Sequence, residues 1–196
     1  MFPNHILKSD VQQLPLIRFE GKIHVVDNLN KLSRAIDIIG KEPILGFDTE
    51  TKPTFVKGDY NHTALIQFAT IDEAFLIRIN QMGIPDMLRS ILENKNILKI
   101  GVSLRDDIKD LKKVSPFKPH GFIDLNSIAK ELGITQIGIK SLTGIFLQKR
   151  ISKGQQTSNW ENKHLSRAQQ GYAATDAWIC MKMYDSLLQR GYVNAS

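Results

Sequence analysis

Apolar residues recur along this chain in two rhythms: short continuous or alternating runs, and stripes spaced by three and four positions. The first rhythm reads as strand and the second as helix. A short alternating stretch at 22–26 predicts a strand. Asn28 or Asn30 then suits a helix N-cap, and Leu32, Ala35, Ile36 and Ile39 form a helical stripe closed by Gly40. Pro43-Ile44-Leu45-Gly46-Phe47-Asp48 is an apolar run that predicts a buried strand. Residues 62–70 and 73–79 predict two more strands joined by the turn Ile71-Asp72. Beyond them the pattern alternates: helix over 85–93, strand over 97–102, helix over 104–114 and a last strand over 121–125. From Ser127 onward the pattern is helical, ending in a long segment over 166–189.

Strands followed by alternating helices and strands predict an α/β layer built on a mixed sheet. No repeat, low-complexity tract or linker divides the chain. Residues 1–20, with Pro3 and Pro15, read as an irregular arm packed on one domain spanning 21–196.

Length and composition narrow the picture a little. The 196 residues are 42% hydrophobic and 23% charged, enough for one sizeable core. Lysine and arginine outnumber aspartate and glutamate, 26 to 20, for a net charge of +6. That excess favours a polyanionic partner without singling one out. Cys180 is the only cysteine, so no internal disulfide is possible. No apolar run approaches the roughly 18 residues of a membrane span, and the first ten residues show no signal peptide. A cytoplasmic protein is expected.

The chemistry lies in carboxylates that fall where a core belongs. In Phe47-Asp48-Thr49-Glu50, strand alternation puts Asp48 and Glu50 on one face, about 7 Å apart along the chain. Alone, such a tripeptide reads more readily as a strand running out into water than as a site. In the helix over 104–114, Asp107 falls with Leu104, Ile108 and Leu111, whereas Asp106, Lys109, Asp110 and Lys113 fall opposite. Asp107 either reaches water at the edge of the stripe or points inward. In the last helix Leu165, Ala168, Ile179, Met183 and Leu187 mark a stripe whose gap is filled by Tyr172 and Asp176. Ser166 with Gln169 supplies a capping-box start that fixes this register. An aspartate inside an apolar stripe costs several kcal/mol unless a cation partners it, so either a buried arginine or lysine or a metal ion is expected. Oxygen donors without clustered histidine or cysteine suit Mg²⁺ or Mn²⁺ better than zinc.

The ordered set Asp48-Thr49-Glu50, Asp107 and Tyr172-Ala173-Ala174-Thr175-Asp176 resembles the DEDDy group of 3′→5′ exonucleases. That group includes ribonuclease D and the Werner-syndrome-type exonuclease domain, the latter being the nearer match. Further matches are Ala64-Leu65-Ile66-Gln67, Lys99-Ile100-Gly101-Val102 and Ser158-Asn159-Trp160, and the resemblance covers roughly residues 42–190. It implies a ribonuclease H-like fold with a mixed five- or six-stranded sheet and helices on both faces. It also implies a two-metal-ion phosphodiester hydrolase acting on DNA or RNA 3′ ends and releasing nucleoside 5′-monophosphates. Asp48, Glu50 and Asp176 would hold one ion. Asp48 with the substrate phosphate would hold the second, Asp107 would act through its water shell, and Tyr172 would orient the attacking water.

By the same resemblance Thr51, Leu65 and Gln67 lie near the terminal nucleotide, with core packing the competing role for Leu65; Trp160 either stacks on a base or, more readily, anchors its loop to the core. The basic runs Arg105, Lys109, Lys112, Lys113, Lys118 and Lys140, Lys149, Arg150, Lys153, Lys163, Arg167 either track phosphates or are solvated faces. The alternative function is a catalytically inactive nucleic-acid-binding module of the same fold. Such a module would be expected to lack at least one carboxylate, and none is missing.

Overall fold

The computed structural model describes residues 2–54, 58–152 and 154–194. Its centre is a six-stranded sheet in the order β1-β4-β3-β2-β5-β6. The strands are β1 (Lys22–Val26), β2 (Ile44–Thr51), β3 (Thr63–Ala69), β4 (Glu73–Ile77), β5 (Leu98–Gly101) and β6 (Phe122–Asp124). The β2, β3 and β4 strands form an antiparallel meander, while β1 joins β4, and β5 and β6 extend β2, in parallel. The mixed sheet expected from the sequence is present.

Alternation along the strands divides the core in two. Phe47, Ile66, Phe68, Phe75 and Ile77 face one side. They pack against α2 (Leu29–Ile39), α4 (Asp86–Glu93) and α5 (Leu104–Val114). Asn28 caps α2, its side chain accepting from the Lys31 amide. The other face meets α6 (Leu125–Glu131), α7 (Ile139–Leu147) and the long α8 (Arg167–Gln189) through Ile100, Leu142, Phe146, Ile179, Met183 and Leu187. The capping box at Ser166 and Gln169 is formed, which contributes about 1 kcal/mol to starting α8.

Three differences from the sequence pattern stand out. A short helix, α1 (Lys8–Gln13), interrupts the arm, and another, α3 (Ile79–Met82), follows β4. Ala168, expected in the buried stripe of the last helix, is exposed, because α8 begins only one residue earlier. The arm itself is bound closely: Leu16 bridges to Arg150, and the Phe19 amide donates to Thr175 Oγ1 at 3.1 Å.

Candidate active site

Strand alternation sends Asp48 and Glu50 from β2 toward the face covered by α8. The approach of that helix is set by Gly46. A Cβ there would lie 1.9 Å from the Ala177 carbonyl oxygen, so only glycine lets α8 rest on the strand backbone. Ala173, Ala174 and Ala177 keep the helix face equally thin. The next residue back from Ala177 is Asp176, which is thereby pressed against the carboxylates of β2. Oxygen atoms of Asp48, Glu50 and Asp176 all lie within 4.8 Å of one another.

Such crowding is unfavourable for the bare acids, and their proton affinities record it. Burial, then the charges of Asp176, Glu50 and Asp107, push the Asp48 carboxyl well above the usual carboxylate range. Glu50 is pushed up to about 9 by burial and by Asp176 and Asp107. Burial raises Asp176 to about 7, opposed by the Tyr172 phenol and the Lys140 ammonium. No arginine or lysine forms an ion pair with any of the three among the described residues. Asp176 is 4% exposed, and its Oδ1 has no hydrogen-bond partner. A buried carboxylate oxygen without a donor, beside two more carboxylates, fits a divalent cation.

Asp107 stands apart. Its carboxylate accepts a short hydrogen bond from Thr49 Oγ1, and Thr49 points to the face of β2 opposite Asp48 and Glu50. Asp107 thus lies outside the tight trio, held by the residue between Asp48 and Glu50, and its charge still acts on both of them. Burial raises Asp107 to about 6, with the Thr49 hydroxyl opposing. Its helix is anchored from β6. Asp124 accepts from the amides of Ser103 and Leu104, each at 3.0 Å, while Ser103 takes a left-handed φ of 65°. Asp124 and Thr49 are supports the sequence reading missed; an aspartate at the end of a strand looks like a solvent-facing terminus until the neighbouring helix start is in place.

Tyr172 lies one turn before Asp176 and is half-buried. Burial first, then the charges of Asp176 and Glu50, drive its phenol far above the ordinary tyrosine range. Trp160 is wholly buried among Ala64, Leu65, Leu76, Leu165 and Ala173, with its ring centroid 6.1 Å from that of Tyr172. Leu65 and Gln67, register partners of Glu50 and Asp48, are likewise fully buried. None of these three side chains offers surface to a nucleotide in this structure; they form the wall behind the acids. Thr51 is half-buried at the end of β2. A further missed residue is Arg78, 1% exposed at the end of β4. Its guanidinium donates to the carbonyls of Trp160, Asn162 and Lys163, holding the loop that carries Trp160.

Of the basic positions, Arg105, Lys109, Lys112, Lys113, Lys118, Lys163 and Arg167 are exposed, and Lys140, Lys149 and Arg150 half-buried. Lys153 lies outside the described residues. His62 and His164 are exposed.

A mixed six-stranded sheet of this topology, with helices on its two faces, is a ribonuclease H-like fold. The model of the 3′-5′ exonuclease family matches residues 23–191, and the chain belongs to that family, in its DEDDy group. It is 26% identical over 211 residues to the exonuclease mut-7 homolog of Aedes aegypti, covering 94% of this chain and 28% of that protein. It is 31% identical over 185 residues to the bifunctional 3′-5′ exonuclease/ATP-dependent helicase WRN of Mus musculus, covering 89% of this chain and 13% of that protein. The chain thus spans well under a third of either relative. In fold it is similar to the Aedes aegypti Nibbler EXO domain, with a TM-score of 0.78 and 23% identity over 89% of this chain and 91% of that one. No helix among the described residues is long and apolar enough to cross a membrane.

Proposed function

We propose that this chain is a metal-dependent 3′→5′ exonuclease, hydrolysing the terminal phosphodiester bond of a DNA or RNA strand and releasing nucleoside 5′-monophosphates. The observation that carries this reading is the trio Asp48, Glu50 and Asp176, with oxygens within 4.8 Å and one buried oxygen unpartnered. Family membership and fold support exonuclease activity on nucleic acid.

Asp48, Glu50 and Asp176 would hold one Mg²⁺ or Mn²⁺. Asp48 would share a second with the substrate phosphate, and Asp107 would steady that ion's outer waters. Two such ions, when bound, supply acidity to the attacking water and neutralise charge on the departing 3′ oxygen. The protein's own groups do the rest. Burial and the neighbouring acids hold the Tyr172 phenol above the ordinary tyrosine range, so it orients the attacking water by hydrogen bonding and does not act as a base. Thr51 flanks the terminal nucleotide. Leu65, Gln67 and Trp160 hold the acids and Tyr172 in place from behind. The single domain over 21–196 carries this chemistry, with the arm 1–20 packed beside it.

The test is to incubate end-labelled strands with the protein and Mg²⁺ or Mn²⁺. Stepwise shortening by one nucleotide is expected, and Asp48→Ala or Asp176→Ala should abolish it. Binding without shortening would establish an inactive nucleic-acid-binding module instead, and undiminished activity in Asp176→Ala would refute the metal assignment.

A further inference from the structure

β1 is the outermost strand at one side of the sheet and pairs with β4 alone. In a parallel ladder, alternate residues turn their peptide groups toward the neighbouring strand. The Lys22 amide donates to the Asp72 carbonyl, and the Val26 carbonyl accepts from the Arg78 amide. Lys22, His24 and Val26 thus direct their peptide groups to β4, and Ile23 and Val25 turn theirs outward along the open edge. Such edges are often blunted by proline or a bulge. Lys22–Val26 contains no proline, and its pairing with β4 runs without a register shift.

Beside this edge, between β1 and α2, lies a groove of about 430 Å³. Its charged lining is Lys22, Lys31 and Arg34, and no aspartate or glutamate lines it among the described residues. Two acids stand nearby and are engaged. Asp27 holds Lys31 at 3.0 Å, and Glu73 holds His24, whose ring stacks on Phe75. Lys22 and Arg34 are exposed and form no ion pair among the described residues. On the other face of β1, Ile23 and Val25 pack against the cluster of Leu76 and Trp160. The strand is therefore cationic toward α2 and apolar toward α8.

We propose that β1 accepts an extended acidic segment of a partner protein as an added strand. Strand addition draws affinity from main-chain hydrogen bonds and specificity from alternate side chains. Acids at every second position would meet Lys22 and Arg34, and the apolar residues between them would lie beside Ile23 and Val25. A second copy of the chain fits less well, because antiparallel self-pairing about His24 brings two cationic grooves edge to edge. A nucleic-acid strand fits less well too: the edge offers carbonyls as well as amides, and phosphates have no donor for the carbonyls. The inference is independent of the acid cluster, none of whose residues lines the groove.

The probe is a capped peptide of about eight residues alternating glutamate and valine, titrated into isotope-labelled protein and followed by nuclear magnetic resonance. The Ile23 and Val25 amide resonances should shift and their hydrogen exchange should slow. A valine–lysine peptide of equal length should bind about tenfold more weakly. Lys22→Gln with Arg34→Glu should remove that preference and leave strand binding and shortening unchanged; glutamine at 22 avoids a second acid opposite Glu73. Shifts that miss Ile23 and Val25, or equal binding of the two peptides, overturn the proposal. So does peptide-free protein that sediments as a dimer with both amides already protected, which would give the edge to a second copy. Lost strand affinity in the double variant would give the groove to nucleic acid and overturn it as well. Should that variant melt early, the mapping and the peptide preference of the wild-type protein decide alone.

Discussion

The backbone of β2 at Gly46 and the carbonyl of Ala177 are in such close approach that a single added methyl would stand 1.9 Å from the oxygen. One position before Ala177 is Asp176, and two positions after Gly46 is Asp48. The separation of the acids is therefore set by a glycine that bears no functional group.

Gly46→Ala tests that dependence. The new Cβ must push α8 outward, and overpacking of this kind costs about 1–3 kcal/mol. A displacement of about 1 Å at a reacting centre costs on the order of a hundredfold in rate. The expected result is a folded protein with a lowered melting temperature and a nuclease rate reduced about a hundredfold, measured by circular dichroism and strand shortening. Wild-type turnover in this variant would show that the helix can shift without consequence.

Without metal, stability should fall as pH rises. The unfolded chain releases the Glu50 proton near 4.5, whereas the folded chain keeps it to about 9; Asp176 holds its proton to about 7. Between those limits the folded state binds the extra protons, so each step upward in pH favours unfolding. In chelator the melting temperature should decline from about pH 5 to about 9, and saturating Mn²⁺ should flatten the decline. Asp176→Asn should melt higher than the wild type in chelator at neutral pH, and lose most of the Mn²⁺-induced rise. A flat profile in chelator would contradict the crowding of the acids.

Tyr172→Phe removes the hydroxyl and keeps the ring that packs against Trp160. Turnover should drop by about ten- to a hundredfold with little change in the Mn²⁺ dependence. Because burial and the acids raise the phenol, neither protein is expected to show an alkaline limb of tyrosine origin in its pH–rate profile. An unchanged turnover number would deny the hydroxyl any part in the chemistry.

Arg78→Met should loosen the wall behind Tyr172. The variant strips donors from three carbonyls, each loss worth about 1–3 kcal/mol where the carbonyl stays buried. In a Trp178→Phe background, so that Trp160 alone reports, the fluorescence maximum should move to the red and turnover should fall. An unmoved spectrum would mean that the loop is held by other contacts.

How much of this was readable beforehand follows from the physics of each element. The strand Lys22–Val26 and the helix Leu104–Val114 match their predicted limits, because their patterns end at clear polar breaks. β2 runs three residues past its apolar stretch, since pairing with β3 continues through the acids to Thr51 and Thr63. The polar letters there look like an exit into solvent. Asp176 stood out as a charge inside an apolar stripe, a local signal. Ala168 misled for the same reason: periodicity cannot say that the first turn of α8 borders an open groove. Arg78 and Asp124 were invisible because their partners are backbone atoms from distant segments, which no spacing rule encodes.

The acid cluster unites β2 with α8, far along the chain, and that has a temporal consequence. A polypeptide emerging from the ribosome in order would carry Asp48 and Glu50 long before Asp176 exists to complete their cation seat. Under the proposed activity, a partly made copy is latent: it cannot cut the nucleic acid around it until α8 has been made and docked.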